Sequence, residues 1–341
     1  MIVRLNKIVL QIVFVVCVLS NSSARGADYL PSNILQMDPF FNHHILIAEK
    51  ASHQLFLFEY NPGGTPQLIK KYPMATGKVR GDKKYQGDHK TPEGVYRFTS
   101  FIPRKNLLKK YGKEGEIYGA GAFVMNYPNP HDRLQSKTGG GIWLHSTNDE
   151  TRIEKGRDSR GCVVVANNDL KDISTFIELE KTSIIIVEKI EYLRKETWIK
   201  ERKELNDFLE TWLRSWKEED INVYLSHYSK EHFKTPTKRN FQTYKRYKSQ
   251  VFSSPGRPDI LLKNVSIFKD KGHARIVFSQ HYKSNRINDT GRKTLYVVRN
   301  SNYEWEIISE RWNKLNENEN SILNPLAFKP SMRFFDNLEN Q

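Results

Sequence analysis

The sequence predicts a mostly β domain followed by a small α+β domain. Two observations carry this. From 43 to 188, short β-branched and aromatic runs alternate with turns bearing Pro and Gly. From about 192 to 228, apolar residues recur at helical spacing instead, and further strand-like runs follow.

In the first part, 45–60 reads as two strands joined by a polar turn. Further strands are expected over 95–99, 122–126, 142–145 and 184–188. In the second part, Leu205, Phe208, Leu209, Trp212 and Trp216 give a helix one apolar face. Strands are expected over 261–268, 273–282, 293–299 and 305–312, which places the α+β domain at 201–313. The Asn-rich segment 314–341 reads as a tail with little core of its own.

The chain has 341 residues, with 54 Lys and Arg against 39 Asp and Glu, for a net charge of +15. A hydrophobic share of 38% excludes a wholly disordered chain. The one long apolar run sits at the N-terminus, which excludes a multi-span membrane protein. There, Arg4 and Lys7 precede an apolar run, 8–19, and a small-residue stretch ending at Ala24. This is the layout of a secretory signal peptide over 1–24, with Ala27 as the alternative cleavage site. Cleavage leaves a charge of +13 and a single cysteine, Cys162.

A lone thiol in an exported protein needs a reason, since it has no intramolecular partner. The segment 141–147 reads as a strand carrying His145 at its end, and Ser159-Arg-Gly-Cys162 follows after a polar loop, 148–158. A loop of that length can return the thiol to the imidazole, and a Cys–His pair is how a thiol becomes a nucleophile near neutral pH. Gly161 lets backbone N–H groups approach a developing oxyanion. Ser159 reads chiefly as a loop-holding hydroxyl, and Arg160 as a cation for substrate or oxyanion. Ser146 is read as orienting the imidazole or contacting substrate. No metal or organic cofactor is required by this chemistry.

Other features have plainer readings. His43 and His44 are neighbours on an expected strand and would point to opposite faces, which argues against a shared metal. His131 and Asp132 fall in a Pro/Asn-rich turn. The basic, aromatic-interleaved stretch 234–248 reads first as a solvated helix face, then as a contact for glycan or another anionic polymer. In an exported protein, nucleic acid is not the expected partner.

The segment around Cys162 resembles the L,D-transpeptidase (YkuD-like) catalytic domain, a β-sandwich with short helices. That family carries a His, a loop and a Ser-His-Gly-Cys motif. Upstream, Met74-Ala-Thr-Gly77 and Thr91-Pro-Glu-Gly94-Val-Tyr96 resemble its Thr-Gly and Thr-Pro-Glu-Gly signatures, and Phe123 to Asn129 resembles a segment of its Gram-negative branch. The likeness covers 43–188. Arg160 stands where most members have His, and Val164 where many have Arg or Asn. The second half resembles the nuclear-transport-factor-like (NTF2-like) cone fold. The pairing is similar to murein-trimming cell-shape proteins of helical bacteria, described as L,D-carboxypeptidases.

The resemblance implies a periplasmic enzyme that acts on peptidoglycan stem peptides. Cys162 would attack the carbonyl of the third stem residue, D-alanine would leave, and an amine or water would resolve the thioester. A non-catalytic wall-binding module is the rival from a different class. The second domain is expected to position polymer through a pocket lined by Trp212, Trp216, Gln280, Tyr282 and Trp305.

Overall fold

A computed structural model describes residues 29–237, 239–253, 256–285, 287–315 and 331–335. The expected signal segment 1–24 and both candidate cleavage sites lie outside the described residues, as does most of the expected tail. Among the described residues, no helix is long and apolar enough to cross a membrane.

The first domain is built on one eight-stranded sheet. Its order runs Val163–Val164, Trp143–His145, Gly121–Met125, Gly94–Pro103, Ser183–Val187, His44–Glu49, Gln54–Glu59, Gln67–Pro73. Alternation along the strands sends side chains to opposite faces. Leu46, Ala48, Leu55 and Leu57 enter one core with Tyr96, Phe98 and Phe123. Ile45, Ile47, Phe56 and Phe58 enter another with Val95, Ile185 and Val187. Both faces are therefore covered, which is why these strands read as nearly unbroken apolar runs.

The second core is closed by residues from outside the first domain. Ile34 and Phe268 are fully buried in it. Phe268 belongs to the second domain's sheet, in the order Trp305–Lys314, Asn288–Arg299, His273–Lys283, Asp259–Asp270, Ile34–Gln36. The last of these strands comes from the N-terminal segment and pairs antiparallel with Asp259–Asp270. Tyr29–Pro31 also pairs with Tyr192–Arg194, the link between the domains. Charged contacts reinforce the junction. Glu93 bonds Lys50 at 2.7 Å and Lys271 of the second domain at 2.8 Å. The buried Arg275 donates to Ser183 Oγ at 2.7 Å.

Several expectations change. The helix expected over 192–228 is two, Lys195–Lys217 and Ile221–Ser226. Glu219 takes a positive φ between them, and the Asp220 side chain caps the second by accepting from Asn222 and Val223 N–H. The aromatics expected to line a pocket pack on one another instead. Trp212, Trp216 and Trp305 are buried, and Trp212 lies 5.3 Å from Trp216 and 6.0 Å from Phe278. Of the basic stretch, 241–248 lies in the helix Phe241–Phe252, but not with a wholly solvated face. Lys248 is buried with its Nζ 4.0 Å over Trp216. Burial pushes that ammonium down to about 7, with Glu310 opposing.

His43 and His44 do not point apart. His43 ends a short helix, Pro39–Asn42, so strand alternation does not apply to it, and the two Nδ1 atoms lie 2.6 Å apart. Among the described residues, no group of three or more His, Cys, Asp or Glu is placed to hold a metal. His131 and Asp132 belong to a helix, Pro130–Leu134, capped reciprocally by Asn129 and Asp132. From the expected tail, Phe335 is buried in the first core, 5.2 Å from Phe101.

Candidate active site

The strands Trp143–His145 and Val163–Val164 are parallel neighbours, with Val163 opposite Leu144 and Val164 opposite His145. This register carries Cys162, one residue before its strand, to the cleft that His145 lines. The Thr-Gly motif holds the arrangement. Thr76–Gly77 pairs with Arg157–Ser159, and Ala75 exchanges two 2.8 Å hydrogen bonds with Val164. Gly77 N–H donates to Thr91 Oγ1 at 2.8 Å. A Cβ on Gly77 would lie 2.3 Å from the His89 carbonyl oxygen, so only glycine fits. Thr91 and Gly77 thus secure the strand from which the Cys162 loop departs.

Within that loop, Ser159 Oγ accepts from Gly161 N–H at 3.0 Å and donates to the Cys162 carbonyl at 2.6 Å. Gly161 has φ +126, and a Cβ there would lie 2.8 Å from the Lys90 carbonyl oxygen. The Gly161 N–H, expected to face an oxyanion, is therefore engaged by Ser159. The thiol donates to the Gly141 carbonyl at 3.4 Å. Among the described residues it makes no hydrogen bond to His145. It packs against a cluster of Leu107, Ala122 and Trp143, while the residue keeps partial exposure to the cleft. Burial pushes the thiol up to about 11, against a smaller opposing effect from the Trp143 backbone and the charges of Arg152 and Lys83.

His145 is buried, and its Nδ1 lies 2.5 Å from the Ser146 carbonyl. A carbonyl only accepts, so Nδ1 carries the hydrogen and Nε2 is left as the basic nitrogen. The Tyr118 ring stands edge-on at 5.0 Å. Burial pushes the imidazole down to about 4, with the Ser146 bond opposing and the Arg152 charge adding. Thiol and imidazole are both neutral at rest.

Ser146 is fully buried, and its hydroxyl accepts from Ala120 N–H at 2.7 Å, so it is turned to the fold rather than to a substrate. Its carbonyl is what orients the imidazole. Arg160 is exposed on the cleft rim. The cleft, about 690 Å³, also takes Lys78, Tyr111 and Asp149 into its lining.

Some contributors carry no sequence signal. Gly141 acts through a backbone carbonyl, which any residue type supplies. Arg152 is a buried guanidinium, 2.6 Å from Asp158 and 3.1 Å from Thr147 Oγ1. Asn167 ties two segments together, accepting from Ala120 N–H at 3.0 Å and donating to the Thr147 carbonyl at 2.7 Å.

Both halves of the chain are similar to known proteins. Residues 43–186 match the model of the L,D-transpeptidase catalytic domain, and 204–311 match that of the Cds6 C-terminal NTF2-like domain. The solved structure of Bd1075 from Bdellovibrio bacteriovorus is 32% identical, with a TM-score of 0.73, over 85% of this chain and 100% of that one. The helical cell shape determining protein Pgp2 from Campylobacter jejuni is 28% identical, with a TM-score of 0.62, over 82% of this chain and 94% of that one. No curated protein matches the chain. The chain belongs to the L,D-transpeptidase family, in the form that carries a C-terminal NTF2-like domain. It is a peptidoglycan enzyme of that family, whose members act on stem peptides with a cysteine nucleophile.

Proposed function

We propose that the protein is an exported cysteine acyl-transfer enzyme of peptidoglycan remodelling, working in the periplasm of a Gram-negative bacterium. The observation that carries the reading is the shared cleft of Cys162 and His145, set by two adjacent parallel strands. The thiol proton passes to His145 Nε2 as sulfur adds to the carbonyl carbon of the third stem residue. Because both groups are neutral at rest, the transfer accompanies attack rather than preceding it. The tetrahedral intermediate collapses, the C–N bond breaks, and the imidazolium protonates the departing amine of D-alanine. Water or an amine then attacks the thioester, giving up a proton to His145, and the thiol is restored. With Gly161 N–H engaged, the Cys162 N–H and the Arg160 guanidinium are the candidates to face the oxyanion.

The second domain is read as the part that positions polymer. Its exposed cations, Lys245 and Arg246 among them, support that role through contact with anionic or glycan chains.

The test is purified protein with a disaccharide tetrapeptide, products read by mass spectrometry. Tripeptide alone means that water is the acceptor and the activity is that of an L,D-carboxypeptidase. A cross-linked dimer means an L,D-transpeptidase. Intact substrate at high enzyme would refute the enzymatic reading and favour a non-catalytic wall-binding module.

A further inference from the structure

A second cavity of about 690 Å³ lies where the two domains meet, and it shares no lining residue with the Cys162 cleft. The first domain supplies Arg97, Arg133 and Leu134, and the second supplies Lys234, Tyr296 and Arg311. Its floor is apolar. Leu134 packs against the buried Tyr296, Val298 and Ile308, on the strand faces opposite the second domain's own core. The docking is held by His131, whose Nε2 lies 3.1 Å from the Val297 carbonyl and whose ring stacks on His273 at 4.9 Å. The first domain's side of the cavity is thereby packed against the second domain's sheet.

Its charge is one-sided. Behind the cavity, Glu180 serves two lining guanidiniums, Arg97 at 2.9 Å and Arg311 at 3.9 Å. One carboxylate does not neutralise two cations. Arg133 and Lys234 are exposed, and neither side chain has a hydrogen-bond or ionic partner among the described residues. The one acidic residue of the lining, Glu231, is turned to solvent beside His232. Convergent cations over an apolar floor fit a ligand that carries carboxylates on a partly apolar chain. A simple inorganic anion would leave the floor unused.

We infer that this junction cavity is a second binding site, for carboxylate-bearing peptides of the stem-peptide class. The choice of stem peptides among carboxylate ligands rests on the proposed function. The site would hold one strand of the wall while the thiol works on another.

The test uses the full chain with Cys162→Ala, titrated by calorimetry with a soluble disaccharide tripeptide. Parallel titrations use the same muropeptide with amidated carboxylates, and inorganic phosphate. Adding Arg133→Glu and Lys234→Glu together should remove one bound tripeptide per chain, or weaken that site at least tenfold. The amidated ligand should not occupy it. Both side chains are exposed, so the melting temperature should hold. If it does not, Arg133→Gln and Lys234→Gln singly should each weaken the site about threefold. Unchanged stoichiometry and affinity in these variants would overturn the inference, as would equal binding of the amidated ligand or occupancy by phosphate and not by tripeptide. Failure of the wild-type chain to process tetrapeptide, with this site still filled, would overturn the proposed function and leave the cavity's assignment standing.

Discussion

The thiol of the free protein should be unreactive, in contrast to the usual picture of a primed Cys–His pair. Burial raises it from 9.0 to about 11, against the opposing Trp143 backbone, and the thiol donates its hydrogen to the Gly141 carbonyl. That leaves about a hundredfold less thiolate at any pH below 9. At pH 7.5 an ordinary thiol is about 3% ionised, and this one about 0.03%. Alkylation by iodoacetamide, followed by intact mass, should run about a hundredfold slower than for a solvent-exposed cysteine peptide. The rate should climb roughly tenfold per pH unit past pH 9, with no inflection below it. Fast alkylation at pH 6, or a plateau below pH 8, would refute the reasoning, because it would reveal a stable thiolate–imidazolium pair. Slow alkylation is compatible with catalysis, since substrate can displace the thiol from Gly141. Turnover, and not thiol reactivity, is therefore what separates an enzyme from a wall-binding module.

Cys162→Ala should abolish product formation while leaving the melting temperature in place, and retained turnover on the tetrapeptide would remove the proposed nucleophile. His145→Ala should cost about 10²–10⁴-fold in turnover, partly regained at alkaline pH where the thiolate forms unaided; a flat pH profile would show that Nε2 does more than accept a proton. Phe268→Ala should destabilise the whole chain by about 3–5 kcal/mol, since Phe268 closes the core beneath the first domain's sheet, and urea melts that report only the second domain unfolding would contradict a shared core. Three imidazoles are held neutral by burial, His44 and His131 pushed down to about 3 and His145 to about 4. Their folded pKa values lie below the unfolded one, so the unfolded chain binds protons first, and stability present above pH 6.5 is lost as pH falls. By pH 5 each imidazole should cost roughly 2 kcal/mol. A urea midpoint unchanged between pH 7 and pH 5 would speak against that burial.

The chemistry-bearing residues were legible because acyl transfer demands particular atoms. Only a thiol and an imidazole meet its needs here, and Ser159-Arg-Gly-Cys162 after His145 shows in one dimension what the parallel strands bring together in three. Strand and helix periods were legible for a similar reason, since alternation and 3.6-residue spacing are local consequences of which face is buried. What lay beyond the sequence depends on contacts between distant residues. Ile34 and Phe268, 234 positions apart, share a core beneath the first domain's sheet. No local pattern tells an apolar run buried by its own domain from one buried by another. The protonation states were hidden for the same reason. A Cys–His motif sets who can exchange a proton, but desolvation and the Gly141 and Ser146 carbonyls decide where the proton rests, and those are properties of the folded surroundings.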